Sequence, residues 1–165
     1  MPSYKDLGID YTSGHLNITN VQLVSLSGCP EHISGDIRAR ANKLTSLVGG
    51  PQIVDWHYSC HMNKLTSLVG CASHIGGIFD YRSNDTMTSL VGIHKIIKSC
   101  KQIHFNSDKI TQGGIGLLLI ANLTDITYCS LPFKIISNYL STGTKGMMEC
   151  RTELISKGYA NYAKL

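Results

Sequence analysis

The chain has 165 residues, 42% hydrophobic, 16% charged and 7% aromatic, with a formal net charge of +4. That length suits one domain, and the low charge density excludes disorder driven by self-repulsion. The longest apolar stretch, Ile115–Ala121, is interrupted by Gly116 and far too short for a membrane span, and the start Met1-Pro2-Ser3-Tyr4-Lys5-Asp6 lacks an apolar signal core.

A cytoplasmic location and reduced thiols at the six cysteines are therefore expected, with no membrane partner. Residues 1–112 hold 10 Lys and Arg against 8 Asp and Glu, and residues 113–165 hold 5 against 3, so neither part is a basic tail. All seven histidines lie in the first part.

Residues 1–15 read as a lead-in, and Leu16 and Ile18 supply a first strand. Internal repetition then takes over. Leu44-Thr45-Ser46-Leu47-Val48-Gly49 recurs as Leu65-Thr66-Ser67-Leu68-Val69-Gly70 and as Met87-Thr88-Ser89-Leu90-Val91-Gly92, with a degenerate earlier copy from Leu23 to Gly28. The leading positions 23, 44, 65, 87 and 110 are spaced 21, 21, 22 and 23 residues apart. Ten residues after the leaders come Ile33, Val54, Ile75 and Ile97. Fourteen after come Ile37, Tyr58 and Phe79, with Ile103 as the shifted fourth, and two further on lie Ala39, Cys60, Tyr81 and Phe105. Alternation of this kind marks short strands with one buried face.

One such unit cannot bury its apolar face alone, whereas stacked units share a continuous core. The expected fold is a β-rich, leucine-rich-repeat-like solenoid of about five turns over residues 16–112, with strands centred near residues 17, 38, 59, 80 and 104. Gly28, Gly49, Gly70 and Gly92 are placed for sharp corners, with Pro30 and Pro51 after two of them. A polar row of Asn42, Asn63, Asn84-Asp85 and Asp108 suits side chains that bond turn backbone.

Beyond Ile110 the grammar becomes helical. Gly113–Ala121 is a short apolar segment, and Ser130-Leu131-Pro132 reads as a helix start with Phe133, Ile136, Tyr139 and Leu140 on one face. Gly143 would end that helix. Thr144 would cap a last one carrying Met147, Cys150 and Leu154, with Lys157-Gly158 as the stop. Residues 113–165 are expected to form an α-helical cap, one structural unit with the solenoid, because a solenoid needs an end plate.

The repeat resembles leucine-rich repeats, and more closely the short solenoid proteins of large tailed bacteriophages. Residues 58–71 carry that pattern in Tyr58, Cys60, Asn63, Leu65-Thr66-Ser67-Leu68 and Gly70, while Ala72 and Ile93-His94 stand where the family has Pro. The likeness covers about residues 16–112 and implies a fold far more than an activity. It implies a host enzyme or defence factor as the protein bound and inhibited.

Between the buried positions of the strands lie Arg38, Arg40, His57, His61, Asp80, Arg82, His104 and Asn106, expected to tile one outward face as the partner-binding surface. Asp36 and Ser59 share that face, and Asn17 and Thr19 open it. The alternative is a nucleotide or nucleic-acid binder with Arg38, Arg40 and Arg82 on phosphate and Tyr81 or Trp56 stacking wherever exposed.

A zinc reading of His57-x-x-Cys60-His61 with Cys71-x-x-His74 fails on strand register, since Cys60 points to the core while His57 and His61 point away. No cofactor is expected. No hydrolase elbow, phosphate loop or His-Glu-x-x-His motif occurs. Asp36 and Asp80 stand two turns apart, roughly 10 Å, too far for paired-carboxylate work. The chain is expected not to be an enzyme.

Overall fold

The computed structural model describes residues 2–127 and 130–165. Nine short strands are present among them. They are β1 (Leu16–Asn17), β2 (His32–Ile33), β3 (Ile37–Arg38), β4 (Ile53–Val54), β5 (Tyr58–Ser59), β6 (His74–Ile75), β7 (Ile78–Asp80), β8 (Gln102–His104) and β9 (Asp125–Ile126). They wind into a parallel β-solenoid with a helical C-terminal end. One sheet runs β1-β3-β5-β7-β8-β9 and the other β2-β4-β6. The first stacks Leu16, Ile37, Tyr58, Phe79, Ile103 and Ile126 in one inward column. The second stacks His32, Ile53 and His74 outward, and single bridges carry that column to Ser99 and Ala121. A third side is strandless, held by contacts such as the Thr66 amide donating to the Thr45 carbonyl at 3.1 Å.

The repeat positions all point inward. The leaders Leu23, Leu44, Leu65, Met87 and Ile110 are buried, as are Ile33, Val54, Ile75 and Ile97. Aromatic rings stack along the core, with Tyr58 5.5 Å from Phe79, Phe79 5.1 Å from Tyr81, and Tyr81 5.7 Å from Phe105. Gly28, Gly49, Gly70 and Gly92 take φ of 86°, 81°, 83° and 78°, a left-handed corner closed to most side chains. The opposite corner uses non-glycine residues in the same conformation, Ala41, Met62 and Ser83, one per turn.

The asparagine row does what its chemistry allows. Asn63 accepts the Leu44 amide at 3.0 Å and donates to the carbonyls of Ala39 and Cys60, and Asn42 and Asn84 repeat the arrangement. Each amide replaces ladder bonds the corner would otherwise lose. The expected fifth member differs. Ser107 is the buried polar side chain there, whereas Asp108 is exposed and 3.9 Å from Lys109.

Where the motif loses its proline, the one-turn helix α1 (Ile93–Ile96) follows Gly92 and lengthens that turn. The stacked sheet also outruns the sequence repeat. Asp125–Ile126 pairs in parallel with Gln102–Ile103, so the solenoid geometry continues 14 residues past position 112, with a 3-10 turn at Ile115–Leu119 stacked on α1 of the turn before. The core still asks only for apolar residues at this rung, which Ile115, Leu117, Ile120, Leu123 and Ile126 provide without the motif.

The two ends are closed differently. At the start, Tyr4 is buried and Ser3 and Asp6 form a capping box, the Ser3 amide donating to Asp6 at 2.8 Å. At the far end, α2 (Leu131–Asn138) begins with Pro132 in its first turn and buries Phe133, Ile135 and Ile136. Helix α3 (Met147–Ser156) buries Cys150 and Leu154 and stops at Lys157 and Gly158. Thr144 is not its cap. A 3-10 segment, Leu140–Gly146, intervenes, kinked at Gly143 with φ 53° and ψ −132°. Among the described residues no helix is long and apolar enough to cross a membrane.

Candidate functional site

Parallel pairing turns the 21-residue repeat into columns across the outward face of the six-stranded sheet. One column is Asn17, Arg38, Ser59, Asp80 and His104. The next residue but one on each strand forms a second, Thr19, Arg40, His61, Arg82 and Asn106. His57 belongs to a third, beside Asp36. All eight candidate residues lie on this face, yet they are not equivalent.

Two arginines are committed within the face. Arg82 grips Asp80 with two bonds, Nε to Oδ1 at 3.0 Å and Nη2 to Oδ2 at 2.8 Å. Arg38 reaches Asp36 at 3.0 Å. Burial alone would raise the Asp80 carboxyl, but the guanidinium and amide of Arg82, with His61 beside them, hold it below the usual carboxylate range. Asp36 is likewise covered, more than expected of an outward position. Burial there is outweighed by the His57 amide and the Arg38 guanidinium, and the carboxyl again sits low.

The histidines divide by hydrogen bonding. His57 Nδ1 accepts the Ile78 amide at 2.9 Å, and His15 Nδ1 accepts the Asp36 amide at 2.9 Å. A ring nitrogen that accepts an N–H carries no proton, so in this bonding arrangement the ring hydrogen of each sits on Nε2. His15 Nδ1 also lies 3.4 Å from Asp36 Oδ2. These side chains stitch the strand entry of one turn to the next. His61 differs: its Nδ1 lies 2.8 Å from Ser59 Oγ and 3.4 Å from Asp80 Oδ2.

Ser59, His61 and Asp80 bring together the residue types of a catalytic triad, but serine and aspartate meet the same ring nitrogen. Proton transfer through imidazole needs them on opposite nitrogens. The cluster is a charge-bearing surface, not a relay. Cys60 is fully buried while His57 and His61 face outward, and no group of metal-ligating side chains converges among the described residues.

Asn106 is spent on structure, accepting the Ser83 amide and donating to Asp85 at 3.1 Å. Arg40 and His104 make no side-chain hydrogen bond or ion pair among the described residues, and Arg40 is exposed. Beyond Arg40 the chain turns into Lys43, and one turn on into Lys64; both are exposed and without ion pairs among the described residues. Arg40, Lys43 and Lys64 thus make a basic edge at the first full turns. The repeated Asn-Lys-Leu at 42–44 and 63–65 is its signal in the sequence, placed at the corners and outside the alternating strand positions.

Trp56 is at the corner between the two sheets, 58% exposed, with its ring 6.0 Å from His15. Tyr81 is buried and offers no stacking surface. Comparisons of the chain with protein-family models, curated proteins and solved structures find no match.

Proposed function

We propose that the protein is a non-enzymatic binding module that docks an acidic surface of another protein through the outward sheet face and its basic edge. The observation that carries this is the division of charge on the face. Asp36 and Asp80 neutralise Arg38 and Arg82, leaving Arg40, Lys43 and Lys64 as cations without an ion pair among the described residues at one border. The internal pairs fix side chains in advance, so less rotamer entropy is lost on docking.

Magnitude sets the shape of the interface. Five strand spacings by three outward positions make a face of roughly 24 by 14 Å. That is less than half of the ~800 Å² each partner buries in a standard complex. A partner must therefore wrap over the Lys43–Lys64 corner. The resemblance to phage solenoid proteins points to a host enzyme or defence factor, held inactive by occlusion.

The runner-up, phosphate recognition by the sheet arginines, loses support because Arg38 and Arg82 are occupied. Affinity capture from host lysate with wild-type protein and with Arg40→Glu/Lys43→Glu/Lys64→Glu tests the choice. The expected result is a protein captured by wild type and lost with the variant at unchanged melting temperature. Retained capture, or capture abolished by nuclease, overturns the reading.

A further inference from the structure

A second site opens at the corner between the sheets, away from the basic edge. The amide ladder there runs Trp56, Gly77, Lys101, Thr124, each amide donating to the carbonyl one turn before it, at 2.8, 3.1 and 3.0 Å. Trp56 therefore stands two turns from Lys101, about 10 Å along the solenoid. Between them the rung is glycine, Gly76-Gly77, and the surface sinks into a recess of about 470 Å³. A Cβ on Gly77 would collide with the His57 ring and come 3.0 Å from the Trp56 carbonyl, so only glycine keeps this floor low.

The walls are chemically polarised. At one end the indole of Trp56 offers a largely exposed π face beside the Asp55 carboxylate, whose Oδ1 meets His32 at 2.9 Å. His57 lines the middle, and because its Nδ1 accepts the Ile78 amide its Nε2 is a fixed donor. At the other end the Lys101 ammonium has no carboxylate within ion-pair distance among the described residues. An aromatic platform and acceptor at one end, a donor between, and a free cation two turns away select a flat ring bearing amino groups, linked through a hydroxylated spacer to an anion.

We propose that this recess binds a nucleoside 5′-monophosphate, the base stacked on Trp56 and the phosphate on Lys101. Base stacking on indole contributes binding energy, and a point cation two turns away on the phosphate sets which end of the ligand lies where. The site does not depend on the docking reading: its residues lie outside the basic edge, and charge reversal at Arg40 leaves it intact.

The chain's only tryptophan makes its emission a reporter of this recess alone. Titration with AMP should quench that emission saturably, with adenosine binding roughly tenfold more weakly for want of the phosphate. In Lys101→Ala, an exposed position whose change leaves the core untouched, AMP should fall to the adenosine level. Absence of saturable quenching at millimolar AMP overturns the proposal, as does unchanged AMP affinity in Lys101→Ala. Maltose quenching as strongly as AMP would overturn it in favour of a carbohydrate site.

Discussion

Phe105 and Phe133 meet edge to face, ring centroids 4.9 Å apart and planes at 76°. This contact joins the last aromatic rung of the solenoid to helix α2, and Tyr162 continues it, 5.6 Å from Phe133 with its hydroxyl donating to the Ile110 carbonyl. The C-terminal helices thus close the core as its next layer. Phe133→Ala should cost about 3–5 kcal/mol in denaturant unfolding. Met148→Ala, at an exposed position of α3, should stay within about 0.5 kcal/mol. Equal effects would show that the helices do not cap the core.

Tyr58 is fully buried, and its hydroxyl has no hydrogen-bond partner among the described residues. A buried polar group without a partner costs about 1–3 kcal/mol. Tyr58→Phe keeps the ring contact with Phe79 and removes that group. The expected outcome is a melting temperature equal to or above wild type. A clear loss of stability would reveal a hydrogen bond to an internal water.

Asn63 ties together the backbone of two adjacent turns, so Asn63→Ala should be among the most damaging polar substitutions. It leaves the Leu44 amide unsatisfied, at about 1–3 kcal/mol, and leaves the Ala39 and Cys60 carbonyls with one asparagine donor each, from Asn42 and Asn84. Asn63→Asp should not rescue, because a carboxylate cannot donate to those carbonyls. Thermal unfolding of the two variants gives the comparison.

Asp80 carries an acid-side linkage. Its carboxyl is held low in the folded protein, so its contribution is present above the ordinary carboxylate range and is lost as pH falls through the lowered value. In Arg82→Ala, burial faces weaker opposition. The Asp80 carboxyl should then titrate higher, and its share of the stability lost on acidification should shrink. Carboxyl carbon NMR across an acid titration reads this directly, and an unmoved Asp80 midpoint would contradict the pairing.

The thiols should be silent in the native state. Cys29, Cys60, Cys71, Cys100 and Cys150 are all buried, and burial pushes Cys29 and Cys150 up to about 12 and Cys100 to about 11. Ellman's reagent at mild alkaline pH should find none of these five until denaturant is added. Rapid labelling of Cys60 or Cys71 would mean the core opens readily. Cys129 lies outside the described residues.

Several functional features escaped reading from the chain alone. The outward residues followed from alternation, and all eight candidates stand on one face. Their pairing did not follow. Whether Arg82 faces solvent or grips Asp80 depends on how two side chains two residues apart lean along a strand, which periodicity does not encode. His57 faces outward as expected, and its Nδ1 is also a backbone acceptor, because the strand entry of the next turn presents an amide at that height. The Trp56 recess needed Gly77 and Lys101 on the adjoining turns, where the repeat spacing varies.

The 21-residue register by itself determined the solenoid, its inward columns and its asparagine corners. Near-identical units stacked in parallel must superpose, so one turn's in-and-out pattern becomes every turn's. Tertiary structure alone decided where the stack ends, since the rung at Asp125–Ile126 keeps the geometry without the motif. It also decided which charges stay free. That choice rests on distances of a few ångströms between side chains on the same or neighbouring turns, where a short ion pair consumes a cation that a sequence can only count.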